Sequence, residues 1–306
     1  MRSLGRALLV GFGIMVLAFM LIRFIPGDPV AILLGDQATE ESVRQYRELL
    51  GLDGTVLEQF MSYASGLLQG DLGKSIVTRQ PVSQTVAIRL PVTLWLIAVT
   101  VVMALLMALP LGVLAAIYQR SWFGYVFRVF ASVSLATPVF FSGVVAILLF
   151  SIALGLAPVA GYRAGFPANL RYLWLPAFVL CSVLVPILAR VLQSSIADTL
   201  EQEFVESAIV RGLPRRILVW RYLLRPSLAP TMALVGYMVG ALLGAAVVVE
   251  LVFNLPGIGT ALIEAVLGRD YTMVQGILLV FGIIVVLVSF VSDVISGWLD
   301  PRTKLS

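Results

Sequence analysis

Long blocks of apolar residues decide what this chain can fold into. Crossing hydrocarbon ~30 Å thick at 1.5 Å per residue takes ~20 mostly apolar residues in a helix. Blocks of that length recur from Ala7 to Phe24, Pro91 to Tyr118, Phe127 to Leu156, Leu173 to Ile196, Leu228 to Phe253 and Met273 to Trp298. Of the 306 residues, 60% are hydrophobic and only 12% charged. A soluble domain is usually about half apolar and about a quarter charged. The expectation is an all-α integral membrane protein with six transmembrane helices.

The first block follows Arg2 and Arg6. It is longer than a signal-peptide core and ends without a small-x-small cleavage pattern, so it reads as a retained helix. Arg23, near its far end, can snorkel to the interface. Pro91 suits the first turn of the second span, where its missing N–H is no loss. Pro110, Pro138 and Pro186 lie inside spans, where neighbouring helices can satisfy the carbonyls they free.

Residues 26–90 are different in character, with Asp28, Asp36, Glu40, Glu41, Glu48, Asp53, Glu58 and Asp71. They read as a small polar domain between spans, with surface helices over Glu40–Leu50 and Val56–Leu68. The layout is therefore 1–25 for the N-terminus and first span, 26–90 for an external domain, and 91–306 for the core with spans two to six.

Basic residues set the orientation. Arg2 and Arg6, Arg120 and Arg128, the group Arg211, Arg215, Arg216, Arg221 and Arg225, and the pair Arg302 and Lys304 all fall on one side of a six-span chain. Both termini are then cytoplasmic and 26–90 lies outside. Five or seven spans would split these groups. The net charge of +4 is explained by these loops; no basic patch with interleaved aromatics suggests nucleic acid.

Residues 197–227 carry the functional signal. Asp198, Glu201, Glu203 and Glu206 precede the arginines. Glu201–Val210 reads as a helix, Gly212 and Pro214 as its break, and Arg215–Leu224 as a second short helix. Glu206-Ser207-Ala208 followed by Gly212 resembles the EAA loop of binding-protein-dependent ABC importer permeases. Ser207 stands where that family usually has Ala, and Arg225 where it usually has Pro, with Pro226 and Pro230 nearby.

Further segments are similar, in order, to the dipeptide/oligopeptide/nickel permease branch. They are Phe24-Ile-Pro-Gly-Asp-Pro29, Leu50-Gly-Leu-Asp53, Gln59-Phe60, Gly70-Asp-Leu-Gly-Lys-Ser75 and Arg89-Leu-Pro-Val-Thr-Leu94. Toward the end come Val248-Val-Glu250, Phe253, Pro256-Gly-Ile-Gly259, Arg269-Asp-Tyr271 and Leu299-Asp-Pro-Arg302.

The resemblance covers essentially the whole chain and implies the type I importer permease fold in a bacterial inner membrane. It implies half of a translocation channel for di- or oligopeptides or similar small solutes. The partners it implies are a second homologous permease, two ATP-binding subunits that use ATP and Mg, and an extracytoplasmic solute-binding protein. In that family the loop is a coupling helix seated in a groove of the ATPase, which points to Glu203, Phe204, Glu206, Ser207, Ala208, Arg211 and Gly212. The branch also includes glutathione and nickel or metal-chelate importers.

Several features admit two readings. The external domain is either a solvated cap or a docking surface for the binding protein. Glu250 and Asp293 in apolar spans are pathway or gate residues, or structural hydrogen-bond partners, with Arg190 available to Asp293. Gly236, Gly240 and Gly244 recur every four residues, a spacing that suits close packing within the chain or against the partner permease.

Gly70 to Ser75 imitates the end of a P-loop, but Leu68 stands where the first glycine belongs. No ATP site, catalytic residue, resident cofactor or metal site is expected in this chain. With no His, the commonest metal ligand and general base is missing. Cys181, alone in an apolar block, reads as a packing residue. A stand-alone secondary transporter would more often show inverted repeats and intramembrane ion ligands. An intramembrane enzyme would need a nucleophile–base pair.

Overall fold

The computed structural model describes residues 2–21, 23, 39–41, 44, 54–165 and 167–299. Helices form almost all of it, and an isolated antiparallel bridge joins Lys74 and Pro81. The chain divides into two compact units: Met1–Leu90 with Ala261–Val286, and Pro91–Thr260 with Leu287–Ser306.

In the first unit, α1 (Arg2–Leu21) packs on α2 (Val56–Leu68) through aromatic rings. Phe60 meets Phe12 and Phe19 edge-on at 6.3 and 5.1 Å. Arg23 lies 3.6 Å over the Phe19 ring and donates to the Phe19 carbonyl and to Gln59. Its cation is therefore held by Phe19 and Gln59 of its own chain. The start of α2 is a reciprocal cap: Glu58 N donates to Thr55 Oγ1 at 3.3 Å, and Thr55 N to Glu58 Oε2 at 2.7 Å.

The next helix, α3, runs Val82–Ile117. It begins before the apolar block does, so Pro91 lies inside it and not in its first turn. The correction has a simple cause. A proline marks a permitted helix start, but it does not prevent polar residues such as Ser83, Gln84 and Arg89 from adding turns ahead of it.

The third apolar block is two helices, α4 (Trp122–Ala136) and α5 (Val139–Ala146), the second extended by wider π-helical turns over Ile147–Ala153. They are bent by 103° at Thr137–Pro138. Proline disfavours helical backbone in the residue before it, and Thr137 is extended, with ψ of 124°.

Central to the second unit is α6 (Leu170–Leu200). Leu173, Leu180, Leu184 and Leu188 are fully buried among Leu96, Ala104 and Ala108 of α3, Phe127 of α4 and Ala146 of α5. Cys181 is buried there, its Sγ 3.5 Å from the Thr100 carbonyl. Then come α7 (Glu203–Val210) and α8 (Arg215–Ile217). The chain continues without a break through π-helical turns at Leu218–Leu224 into α9 (Arg225–Val252). The expected separate helix over 215–224 is thus continuous with the helix of the fifth apolar block. Pro226 and Pro230 bring no N–H, which favours the wider turns before them. The last helices are α10 (Ile258–Leu267) and α11 (Tyr271–Leu299).

Among the described residues, four helical stretches are long and apolar enough to cross a membrane: Val82–Ile117, Leu170–Leu200, Leu218–Val252 and Tyr271–Ser292. Counted as one span, the bent pair would be a fifth, while the apolar stretch of α1, Leu9–Met20, is shorter than that length. Exposed side chains on these helices are apolar too, among them Val102, Leu106, Val133, Tyr237 and Leu287. Helices apolar on all faces are those that hydrocarbon surrounds. The surface helix expected over 40–50 falls mostly outside the described residues, of which Glu40, Glu41 and Arg44 are helical.

Candidate functional site

The polar excursion between α6 and α9 is built around α7. Glu203 and Glu206 lie in its first turn, where unpaired N–H groups favour acids. Its end is closed by two bonds: Gly212 N donates to the Ile209 carbonyl at 2.9 Å, and Leu213 N to the Ala208 carbonyl at 3.3 Å. That double closure needs a left-handed residue at position 212. Gly212 has φ of +69°, which glycine adopts without a Cβ clash.

The eight residues have two distinct faces. Val205 and Ala208 are buried against their own chain, and Phe204 stacks obliquely on Tyr222 at 6.4 Å. Glu203, Glu206, Ser207 and Arg211 point outward with Gly212. Beside them Ile209 is 56% exposed and Val210 81% exposed. The outward face thus combines two acids and a base with two bare aliphatic side chains. Sequence reasoning named the charged and small positions but passed over Ile209 and Val210.

Glu250 is entirely buried, and its carboxylate is fully engaged. It accepts from Thr93 Oγ1, from Thr260 N at 3.0 Å and from Thr260 Oγ1 at 3.5 Å. Thr93 Oγ1 in turn accepts from Ile258 N at 3.0 Å. The carboxylate therefore holds the start of α10 by its free amides. A Cβ on Gly257 would collide with the carboxylate, so only glycine lets the backbone come this close.

The side chain of Asp293 lies outside the described ones. Arg190, its expected partner, donates to Ser132 Oγ at 3.1 Å. The three glycines of α9 differ from one another. A Cβ on Gly236 would strike the Ser292 side chain, Gly240 is half-buried, and nothing stands within 4 Å of a Cβ on Gly244. The first thus packs within the chain and the last is open.

In the first unit, Ser75 and Asp270 bring two separate sequence motifs together. Ser75 Oγ donates to Asp270 Oδ2, and Ile76 N to Asp270 Oδ1 at 3.3 Å. Asp270 Oδ1 also accepts from Met273 N at 3.2 Å, capping α11. The segment that imitates a P-loop thus spends its serine on a carboxylate. Beside it is an open cleft of ≈ 400 Å³ lined by Val77, Thr85, Ile88, Ala261, Met273 and others. Arg89 and Glu264 form an ion pair of 3.0 Å on its wall. In α2, burial pushes the Tyr63 phenol up to about 12, with a small opposing pull from Gln275. Among the described residues, no three His, Cys, Asp or Glu side chains gather as a metal site.

Known proteins resemble this chain along its whole length. Residues 108–305 match the family described as binding-protein-dependent transport system inner membrane component, and residues 1–97 match its N-terminal companion. The di/tripeptide transport system permease protein DppB of Pseudomonas aeruginosa is 33% identical over 99% of this chain and 97% of its own. The glutathione transport system permease protein GsiC of Escherichia coli is 32% identical over 96% of this chain and 94% of its own.

Proposed function

Because the chain belongs to the binding-protein-dependent transport system inner membrane components, and so is an inner-membrane permease of an ABC importer, we propose that it forms half of a channel for small peptides. Two separate ATPase subunits, which bind the ATP and Mg, drive it through 197–227. A second homologous permease completes the channel, and an extracytoplasmic binding protein delivers the substrate. The two-faced α7 carries this reading. Val205 and Ala208 fasten it to its own chain, while Glu203, Glu206, Ser207, Ile209, Val210 and Arg211 are left for a partner.

Peptide as substrate rests on relatives named for di/tripeptide and glutathione transport, both peptidic. The arginine distribution supports six spans, cytoplasmic termini and an external 26–90 domain that docks the binding protein. Glu250 acts as the anchor of α10, since all its contacts are internal.

The test is reconstitution of the assembled complex in liposomes with a labelled di- or tripeptide. Uptake driven by ATP and dependent on the binding protein is expected. Val210→Asp is expected to release the ATPases while the two permeases stay paired. Full uptake with bound ATPases in that variant would sink the coupling role of α7. Uptake of a nickel chelate but not of peptide would overturn the substrate assignment.

A further inference from the structure

The coupling excursion leaves α6 after Leu200 and rejoins the bundle through α9. At its base the two helices are tied by hydroxyl groups that the charged loop does not involve. Ser227 and Thr231 are fully buried and Thr199 nearly so. Thr199 Oγ1 lies 2.6 Å from the Ser195 carbonyl, the back-bond that a helical threonine makes to its own helix. That bond uses its only hydrogen. The 3.0 Å contact between Thr199 Oγ1 and Ser227 Oγ is then donated by Ser227. Ser227 Oγ also reaches the Ser195 carbonyl at 3.2 Å. The single hydroxyl hydrogen of Ser227 on α9 is thus shared between two acceptors on α6. The Ser227 carbonyl accepts from Thr231 Oγ1 at 3.3 Å, which fixes it from the other side.

Position gives this group its significance. On the loop side of Ser227 lie the π-helical turns at Leu218–Leu224, an irregularity of the kind often found at functional sites. Those turns also carry Tyr222, the ring that meets Phe204 of α7. A push on α7 therefore reaches these turns first. Unless α9 is tied to α6, the turns can absorb the displacement. A buried hydroxyl has no water to replace a lost partner, so this tie holds at low cost and breaks at high cost.

We propose that Ser227, bonded to Thr199 and to the Ser195 carbonyl, is a positioning clamp that makes α6 and α9 move together when α7 is displaced. The proposal rests on the reading of α7 as the coupling helix. It predicts an order of effects. Ser227→Ala removes the donor and with it the shared cross-helix bond. Thr199→Val removes one acceptor and leaves the Ser195 carbonyl. Thr199→Ser keeps the oxygen and the tie.

The experiment uses the assembled importer in liposomes, with ATP hydrolysis and peptide uptake measured on the same vesicles. For Ser227→Ala the ATPases stay bound and hydrolysis persists, but peptide moved per ATP falls about fivefold, the scale of one lost hydrogen bond. Thr199→Val has a smaller effect and Thr199→Ser matches the parent. An unchanged ratio in Ser227→Ala overturns the clamp. So does a parallel fall of hydrolysis, uptake and melting temperature at constant ratio, which marks a purely structural role. Val210→Asp separates the two levels. If that variant retains ATPases and uptake, the coupling reading itself fails, and if it loses them while Ser227→Ala keeps its ratio, only the clamp fails.

Discussion

Ser75 and Asp270, 195 residues apart in sequence, are joined side chain to side chain in the buried interior of one unit. Asp270 is also the cap of α11 through Met273 N, and it accepts from Ile76 N. Asp270→Ala therefore strips three donors at once and is expected to cost about 2–3 kcal/mol. Ser75→Ala removes the bond to Asp270 and the one Ser75 Oγ accepts from Thr78 N at 2.9 Å, and costs about 1–2 kcal/mol. Thermal unfolding of the detergent-purified complex checks the order, and equal melting of both variants would contradict it.

Glu250 gives a second ranking. Glu250→Gln preserves the volume and one acceptor for Thr93 or Thr260, at about 1 kcal/mol. Glu250→Ala leaves the Thr93 hydroxyl hydrogen and Thr260 N without their acceptor, and about 3 kcal/mol is expected. Greater protease sensitivity around 254–260 in the alanine variant alone would report the loosened start of α10. A gate residue would instead leave stability unchanged and alter transport in both variants.

The glycines of α9 are expected to separate internal packing from partner contact. Gly236→Leu meets the Ser292 side chain, and overpacking of this kind costs about 1–3 kcal/mol. Gly244→Leu meets nothing within the chain. Its melting in isolation should match the parent, while capture of the second permease weakens. If Gly244→Leu leaves pairing intact, the open end of the glycine row is a lipid-facing surface.

Tyr63 supplies a pH dependence at the alkaline end. Its phenol stands at about 12 in the folded chain against an ordinary value of 10.0, because burial disfavours the phenolate. A raised value means that the folded state holds the proton more tightly. The stabilisation is complete below pH 10 and is lost as pH rises toward 12. The melting temperature of the parent should therefore fall more steeply than that of Tyr63→Phe across this interval. Parallel curves would show that the phenol does not report on folding.

The sequence was most legible where one physical requirement acts alone. Bilayer thickness demands long apolar runs, and the helices at Leu170–Leu200 and Tyr271–Leu299 lie where those runs are. A helix end closed by a left-handed residue demands glycine, and Gly212 has that conformation. Legibility fails where partners are distant. Glu250 looks like a lone carboxylate in an apolar run because Thr93 is 157 residues away. It fails also where a motif fixes spacing but not direction. Glu206-Ser207-Ala208 places three residues on a short helix, and only the packed chain reveals that Ala208 faces inward while Val210 faces out. The break at Thr137–Pro138 was foreseeable as a bend, but its size follows from Thr137 leaving the helical region altogether.

The bonds around Glu250 also constrain how such a chain is made. Threading a carboxylate into hydrocarbon is costly unless it finds donors. One donor, Thr93, is synthesised long before it, and the other, Thr260, only ten residues after it. Thr260 leaves the ribosome together with Glu250, so the partner that must already be in place is Thr93 on the earlier helix. The helix α9 thus becomes secure only after α3 is in place, which sets a temporal order on assembly that the finished bundle no longer displays.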